Sequence, residues 1–124
     1  MDERDPLTQQ VIGAAIEVHR EMGPGLLESV YQSCIECELR SLGIEFERQV
    51  PLPIVYKGAI VGNDLVVDLY FPGRLVVELK AVDSLIPIHQ AQLLTYLRLT
   101  QTHVGLLINF NVRLLRDGVK RMVL

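Results

Sequence analysis

Asp68-Leu69-Tyr70-Phe71-Pro72-Gly73-Arg74-Leu75-Val76-Val77-Glu78-Leu79-Lys80 is the stretch on which the reading of this chain turns. Two apolar runs, residues 65–71 and 75–81, flank a Pro-Gly turn signal, which predicts a β-hairpin. Side chains alternate faces along a strand, so Glu78 and Lys80 share one face of the second run while Leu75, Val77 and Leu79 share the other. Asp68 is placed on a face with Val66 and Tyr70. If Pro72, Gly73 and Arg74 form a three-residue loop, Phe71 faces Leu75, and counting back sets Asp68 opposite Glu78. Two carboxylates and an ammonium then converge.

Like charges facing each other on a sheet are destabilising, and the valines and leucines around them imply partial burial, which adds a desolvation cost. Lys80 can offset one carboxylate. A divalent cation can offset both, and hard carboxylate oxygens suit Mg²⁺ or Mn²⁺. The residues alone leave a plain ion pair on a hairpin edge open beside the metal site.

The composition sets the frame. A chain of 124 residues, 49% apolar and 22% charged, is expected to fold as a single domain, residues 1–124, with one core. No apolar run approaches the ~18–20 residues of a membrane span, and Met1-Asp2-Glu3-Arg4-Asp5-Pro6 has neither the basic start nor the apolar stretch of a secretion signal, so a cytoplasmic protein is expected. Cys34 and Cys37 are read as free structural cysteines on one buried helical face, with no second pair to complete a zinc or redox motif. The net charge of −3 argues against a protein that wraps nucleic acid. It is compatible with an enzyme whose carboxylates are neutralised by metal. Arg113, Arg116, Lys120 and Arg121 concentrate positive charge near the C-terminus, as a nucleic-acid contact or as an ordinary solvated edge.

Leu7, Val11, Ala14, Val18 and Met22 recur at helical spacing between Asp5-Pro6 and the stop Gly23-Pro24-Gly25, and His19 within them reads as a packing or surface residue. A second helix spans 27–42 and ends at Gly43. At about 100° per residue, Glu28 projects between Ile35 and Leu39, away from a wet arc of Gln32, Ser33, Glu36 and Arg40. A carboxylate there either complements the helix dipole in the first turn or is aimed at a metal or its water.

Gly25-Leu26-Leu27-Glu28-Ser29-Val30-Tyr31 has the form Gly-x-x-Glu-x-x-Tyr and resembles the signature of the GxxExxY protein family, a branch of the PD-(D/E)XK nuclease superfamily. The similarity continues through Gln49-Val50-Pro51-Leu52, Tyr56-Lys57-Gly58, Val77-Glu78-Leu79-Lys80-Ala81-Val82, Ala91-Gln92-Leu93-Leu94 and Leu106-Leu107-Ile108-Asn109-Phe110. Val67 stands where the superfamily's name has proline, a position that carries no chemistry. The resemblance implies an α/β restriction-endonuclease-like core, a mixed central sheet flanked by helices. It implies Asp68, Glu78 and the Leu79 carbonyl as metal ligands and Lys80 as the residue acting on the attacking water. It also raises Glu28 to a site residue that would bind a water at the metal, and makes Tyr31 and Tyr96 candidate substrate contacts.

The remaining elements follow the same punctuation. Residues 44–50 and 52–56 read as strand, Lys57-Gly58 turns into 59–61, and Gly62-Asn63 turns again into the central hairpin. A third helix runs from Pro87 to about Thr100, with Leu93, Leu94 and Leu97 as its core stripe and Gln92 and Tyr96 together on another face. Gln-x-x-x-Tyr after the Glu-x-Lys strand is similar to a feature of the superfamily's exonuclease branch, in which the glutamine shapes the metal site. Residues 104–110 read as a buried strand and 119–124 as an edge strand. The expectation is a Mg²⁺- or Mn²⁺-dependent nuclease acting on DNA or RNA, as a homodimer, since one small domain offers little surface to grip a duplex. The rival, from another class, is a nuclease fold serving as a binding or assembly module without turnover.

Overall fold

Helix α1, Pro6–Met22, begins at a proline whose missing N–H costs nothing in a first turn, and it stops at Gly23, φ 69. The structure, a computed structural model, describes residues 5–124. Helix α2 follows at Glu28–Ser41, then strands β1 (Glu47–Tyr56), β2 (Ala59–Phe71) and β3 (Leu75–Lys80), helix α3 (Pro87–Thr100), strand β4 (Val104–Asn109), a 3₁₀ turn at Leu115–Gly118 and strand β5 (Val119–Val123). The strands lie in the order β1-β2-β3-β4-β5, all neighbours antiparallel except β3 and β4, which are parallel across the α3 crossover.

Both faces of this sheet are covered, as the two-sided apolar strands require. On one side Leu69, Phe71, Leu75, Val77, Leu79, Leu106 and Ile108 pack under α1 and α2. On the other Val67, Val76 and Leu107 pack under Leu93, Tyr96 and Leu97 of α3. Gly105 lets α3 come close, since a Cβ there would sit 2.9 Å from Leu93 Cδ1. Among the described residues, no helix is long and apolar enough to cross a membrane.

The loop Pro72-Gly73-Arg74 has the expected length, and Phe71 pairs with Leu75. Four sequence expectations are corrected. Gly62-Asn63 is not a turn: β2 runs through it, because Lys57 (φ 50) and Gly58 (φ 83) already close the β1–β2 hairpin. Gln32 and Glu36 are buried, because Arg48 reaches across from β1 to Glu36 at 2.8 Å and covers that side of α2. Cys37 is exposed and Cys34 only partly buried; both are free thiols. The alternation of β2 also breaks: Val67 and Leu69, two residues apart, lie in opposite cores, so Asp68 sits where the strand changes face. His19 is buried, with its Nε2 2.7 Å from the Val112 carbonyl, a packing role.

Candidate active site

The β2–β3 ladder pairs Phe71 with Leu75, Tyr70 with Val76 and Leu69 with Val77, and there it ends. Beyond it β3 remains paired with β4 through Lys80, while β2 resumes its pairing with β1 at Val67. The two central strands therefore part at Asp68 and Glu78. Backbone groups freed inside a protein need partners, and the two acids supply them reciprocally. The Asp68 N–H donates to Glu78 Oε1 at 2.9 Å, and the Leu79 N–H donates to Asp68 Oδ2 at 2.8 Å. The carboxylates thus take the place of carbonyls in the ladder.

That geometry holds both acids in an unfavourable setting. Glu78, only 4% exposed, is pushed up to about 8 by burial and then by the Asp68 charge, against the pull of the Asp68 amide and Lys80. Burial also raises Asp68, opposed by the Leu79 amide, Gln49 and Lys80. Glu28, exposed in the first turn of α2, still feels the cluster: partial desolvation and Asp68 raise it while Lys80 lowers it. Glu28, Asp68, Glu78 and Lys80 therefore share one electrostatic neighbourhood, fed by α2, β2 and β3.

Helix α3 supplies the next layer. Lys80 Nζ donates to Gln92 Oε1 at 3.2 Å, and Gln92 Nε2 donates to the Tyr96 hydroxyl at 3.0 Å. An ammonium can only donate, so the amide oxygen must face Lys80, which leaves the amide N–H₂ for Tyr96. Tyr96 is buried, so it backs the glutamine rather than lining the cleft as a substrate contact. Burial and the charges of Glu78 and Asp68 push its hydroxyl up, against the pull of its bonds to Gln92 and the Val66 backbone.

Tyr31 does not join the cluster. It is fully buried and stacked on Phe110 at 4.5 Å, its hydroxyl donating to the Gly23 carbonyl at 2.6 Å and accepting from the Leu26 N–H at 3.2 Å. The expected substrate contact is thereby corrected to a staple. Gly25, with φ 94, makes the turn that Tyr31 closes, and Glu28 follows directly from it. The Gly-x-x-Glu-x-x-Tyr spacing thus has a local mechanical meaning: the outer residues fix the loop that presents the central one.

Sequence reasoning missed two neighbours. Gln49 Nε2 donates to Asp68 Oδ1 at 2.9 Å, and Gln32 Nε2 donates to the Asp68 carbonyl at 3.0 Å and to Glu36 at 2.7 Å. Burial would raise Glu36, but Gln32, Arg48 and Arg40 outweigh it and hold this acid below the usual range. Asn109, buried, clamps the Val82 backbone through both amide atoms and so fixes the chain just past Lys80.

Among the described residues, no group of three or more His, Cys, Asp or Glu side chains is arranged to hold a metal ion. Mg²⁺ commonly takes only one or two carboxylates and keeps several waters. A buried carboxylate facing a half-buried one, both raised by desolvation, is a setting that a divalent cation would relieve, so Asp68, Glu78 and the Leu79 carbonyl fit such a group.

A mixed sheet flanked by helices, with two acids and a lysine gathered where its central strands part, defines a nuclease-type α/β domain. The chain belongs to the PD-(D/E)XK nuclease superfamily, whose sequence profile matches residues 5–122. Comparison with curated proteins and with solved structures gives no match.

Proposed function

We propose that this domain is a Mg²⁺- or Mn²⁺-dependent nuclease that hydrolyses phosphodiester bonds in DNA or RNA, and that it falls in the GxxExxY branch of its superfamily. The observation that supports this most is a reciprocal pair of hydrogen bonds, from the Asp68 N–H to the Glu78 carboxylate and from the Leu79 N–H to the Asp68 carboxylate, which fixes a buried and a half-buried acid within the electrostatic reach of Lys80. Asp68, Glu78 and the Leu79 carbonyl would hold the cation, whose chemistry is polarisation of the phosphoryl group and activation of water.

The chain's own residues account for the rest. Lys80 spends one donor on Gln92, which aims the ammonium and leaves its other N–H groups for the attacking water and for negative charge developing on phosphorus. Glu28 would accept a hydrogen bond from that water. Gln92 would orient Lys80, with Tyr96 holding the amide in its working direction.

Calorimetric titration of Mn²⁺ into the metal-free protein tests the reading. A saturable heat, lost in Asp68→Asn, is expected, together with cleavage of single- or double-stranded DNA or RNA that appears only with a divalent cation. Silence at millimolar metal would leave a nuclease fold used as a binding or assembly module.

A further inference from the structure

We propose that Gln49 is a positioning residue that sets the direction of the Asp68 carboxylate. Gln49 lies inside β1 with φ 47, the left-handed region that a residue bearing a Cβ occupies at a cost. Its neighbours Arg48 and Val50 pair with Leu69 and Val67, so the register is the same on both sides of the distortion. The distortion therefore does no work in strand alignment. It falls opposite Asp68, and the Gln49 amide donates to Asp68 Oδ1.

The consequence is a carboxylate held from two sides. Oδ1 accepts from Gln49 on β1 and Oδ2 from the Leu79 N–H on β3, while Gln32 holds the Asp68 carbonyl from α2. Each oxygen retains a further lone pair for a ligand. An arginine in this place would add a full positive charge and compete with a cation, whereas a neutral amide orients the acid and leaves its charge available. Hydrogen-bonded neighbours of this kind tune the groups that ligate metals. The part of the inference that concerns metal affinity rests on the proposed function; the orientation of Asp68 does not.

The test uses Gln49→Leu and Gln49→Gly, the second of which suits the positive φ and guards against a folding defect. In metal-free protein, hydrogen exchange at the Leu79 amide should quicken about tenfold in both variants, as the loss of a bond holding its acceptor implies, with the Val77 amide unmoved. Unchanged Leu79 exchange in both would overturn the inference whether or not metal binds. Mn²⁺ affinity should fall about 10- to 100-fold in both variants. Equal affinity in wild type and both variants would also overturn it. Wild type that binds no Mn²⁺ would instead sink the proposed function, and the Leu79 amide would still decide the role of Gln49.

Discussion

Raising the pH should weaken the metal-free protein, and Glu78 gives both the sign and the size. Its carboxyl is ordinary in the unfolded chain, at 4.5, and is pushed up to about 8 in the fold by burial and by Asp68. Between those values the folded state keeps a proton that the unfolded state has lost, so stability falls as pH rises through the window and levels off above it. Asp68 and Glu28 are raised as well and act in the same direction. At ~1.4 kcal/mol per pH unit the ceiling for Glu78 is about 5 kcal/mol, and the part of the window that lies above about pH 5.5 leaves an expected loss on the order of 3 kcal/mol. Urea unfolding at about pH 5.5 and about pH 8.5, in chelator, measures it. Glu78→Gln keeps an oxygen to accept the Asp68 N–H but carries no charge. It should flatten the pH dependence and exceed wild type at the higher pH by a similar amount. Saturating Mn²⁺ at the higher pH should return about 2.7 kcal/mol at a hundred times its Kd. Metal-free stability that is flat or rises across the window would refute the reasoning.

Gln92→Ala should leave Mn²⁺ affinity within a few-fold of wild type but cut turnover about 10- to 100-fold, because Lys80 loses its orienting acceptor; equal turnover would return Gln92 to a surface role. Tyr31→Phe should cost about 1–3 kcal/mol in thermal or urea unfolding, since the Gly23 carbonyl and Leu26 N–H lose their shared partner. Any loss of cleavage should follow only from unfolding, and a specific rise in KM would restore Tyr31 as a substrate contact. Gly118→Ala puts a Cβ 2.1 Å from the Asn109 carbonyl oxygen and should cost about 3 kcal/mol or more, read by the same unfolding assay.

The parts of the fold that were legible in the sequence are those marked by punctuation. Asp5-Pro6, Gly23 and Pro87 mark three helix ends to within a residue, and α2 begins three residues after Gly25 and ends two before Gly43. Pro72-Gly73-Arg74 fixed the hairpin register, and with it the meeting of Asp68 and Glu78. Lys80 beside Gln92 was reachable from helical spacing and motif order. What stayed hidden depends on long-range geometry. Nothing local in Gln49 announces a positive φ, a conformation that glycine or asparagine would have signalled. The burial of Gln32 and Glu36 depends on an arginine twelve residues beyond Glu36, on another element. Tyr31 shared a motif with Glu28, and the motif could not tell the residue that shapes the loop from the residue whose charge is felt by the Asp68–Lys80 cluster.

The central claim, that the acids and lysine between β2 and β3 hydrolyse phosphodiesters with a divalent cation, meets its most direct test in one side-by-side assay. Purified wild type, Asp68→Asn and Lys80→Ala are incubated with single- and double-stranded DNA and RNA in Mg²⁺, in Mn²⁺ and in chelator, with folding of each protein checked by circular dichroism. The account predicts cleavage by wild type only with metal, and its abolition in both folded variants. Cleavage by Lys80→Ala at the wild-type rate, or none by wild type on any substrate, would contradict it.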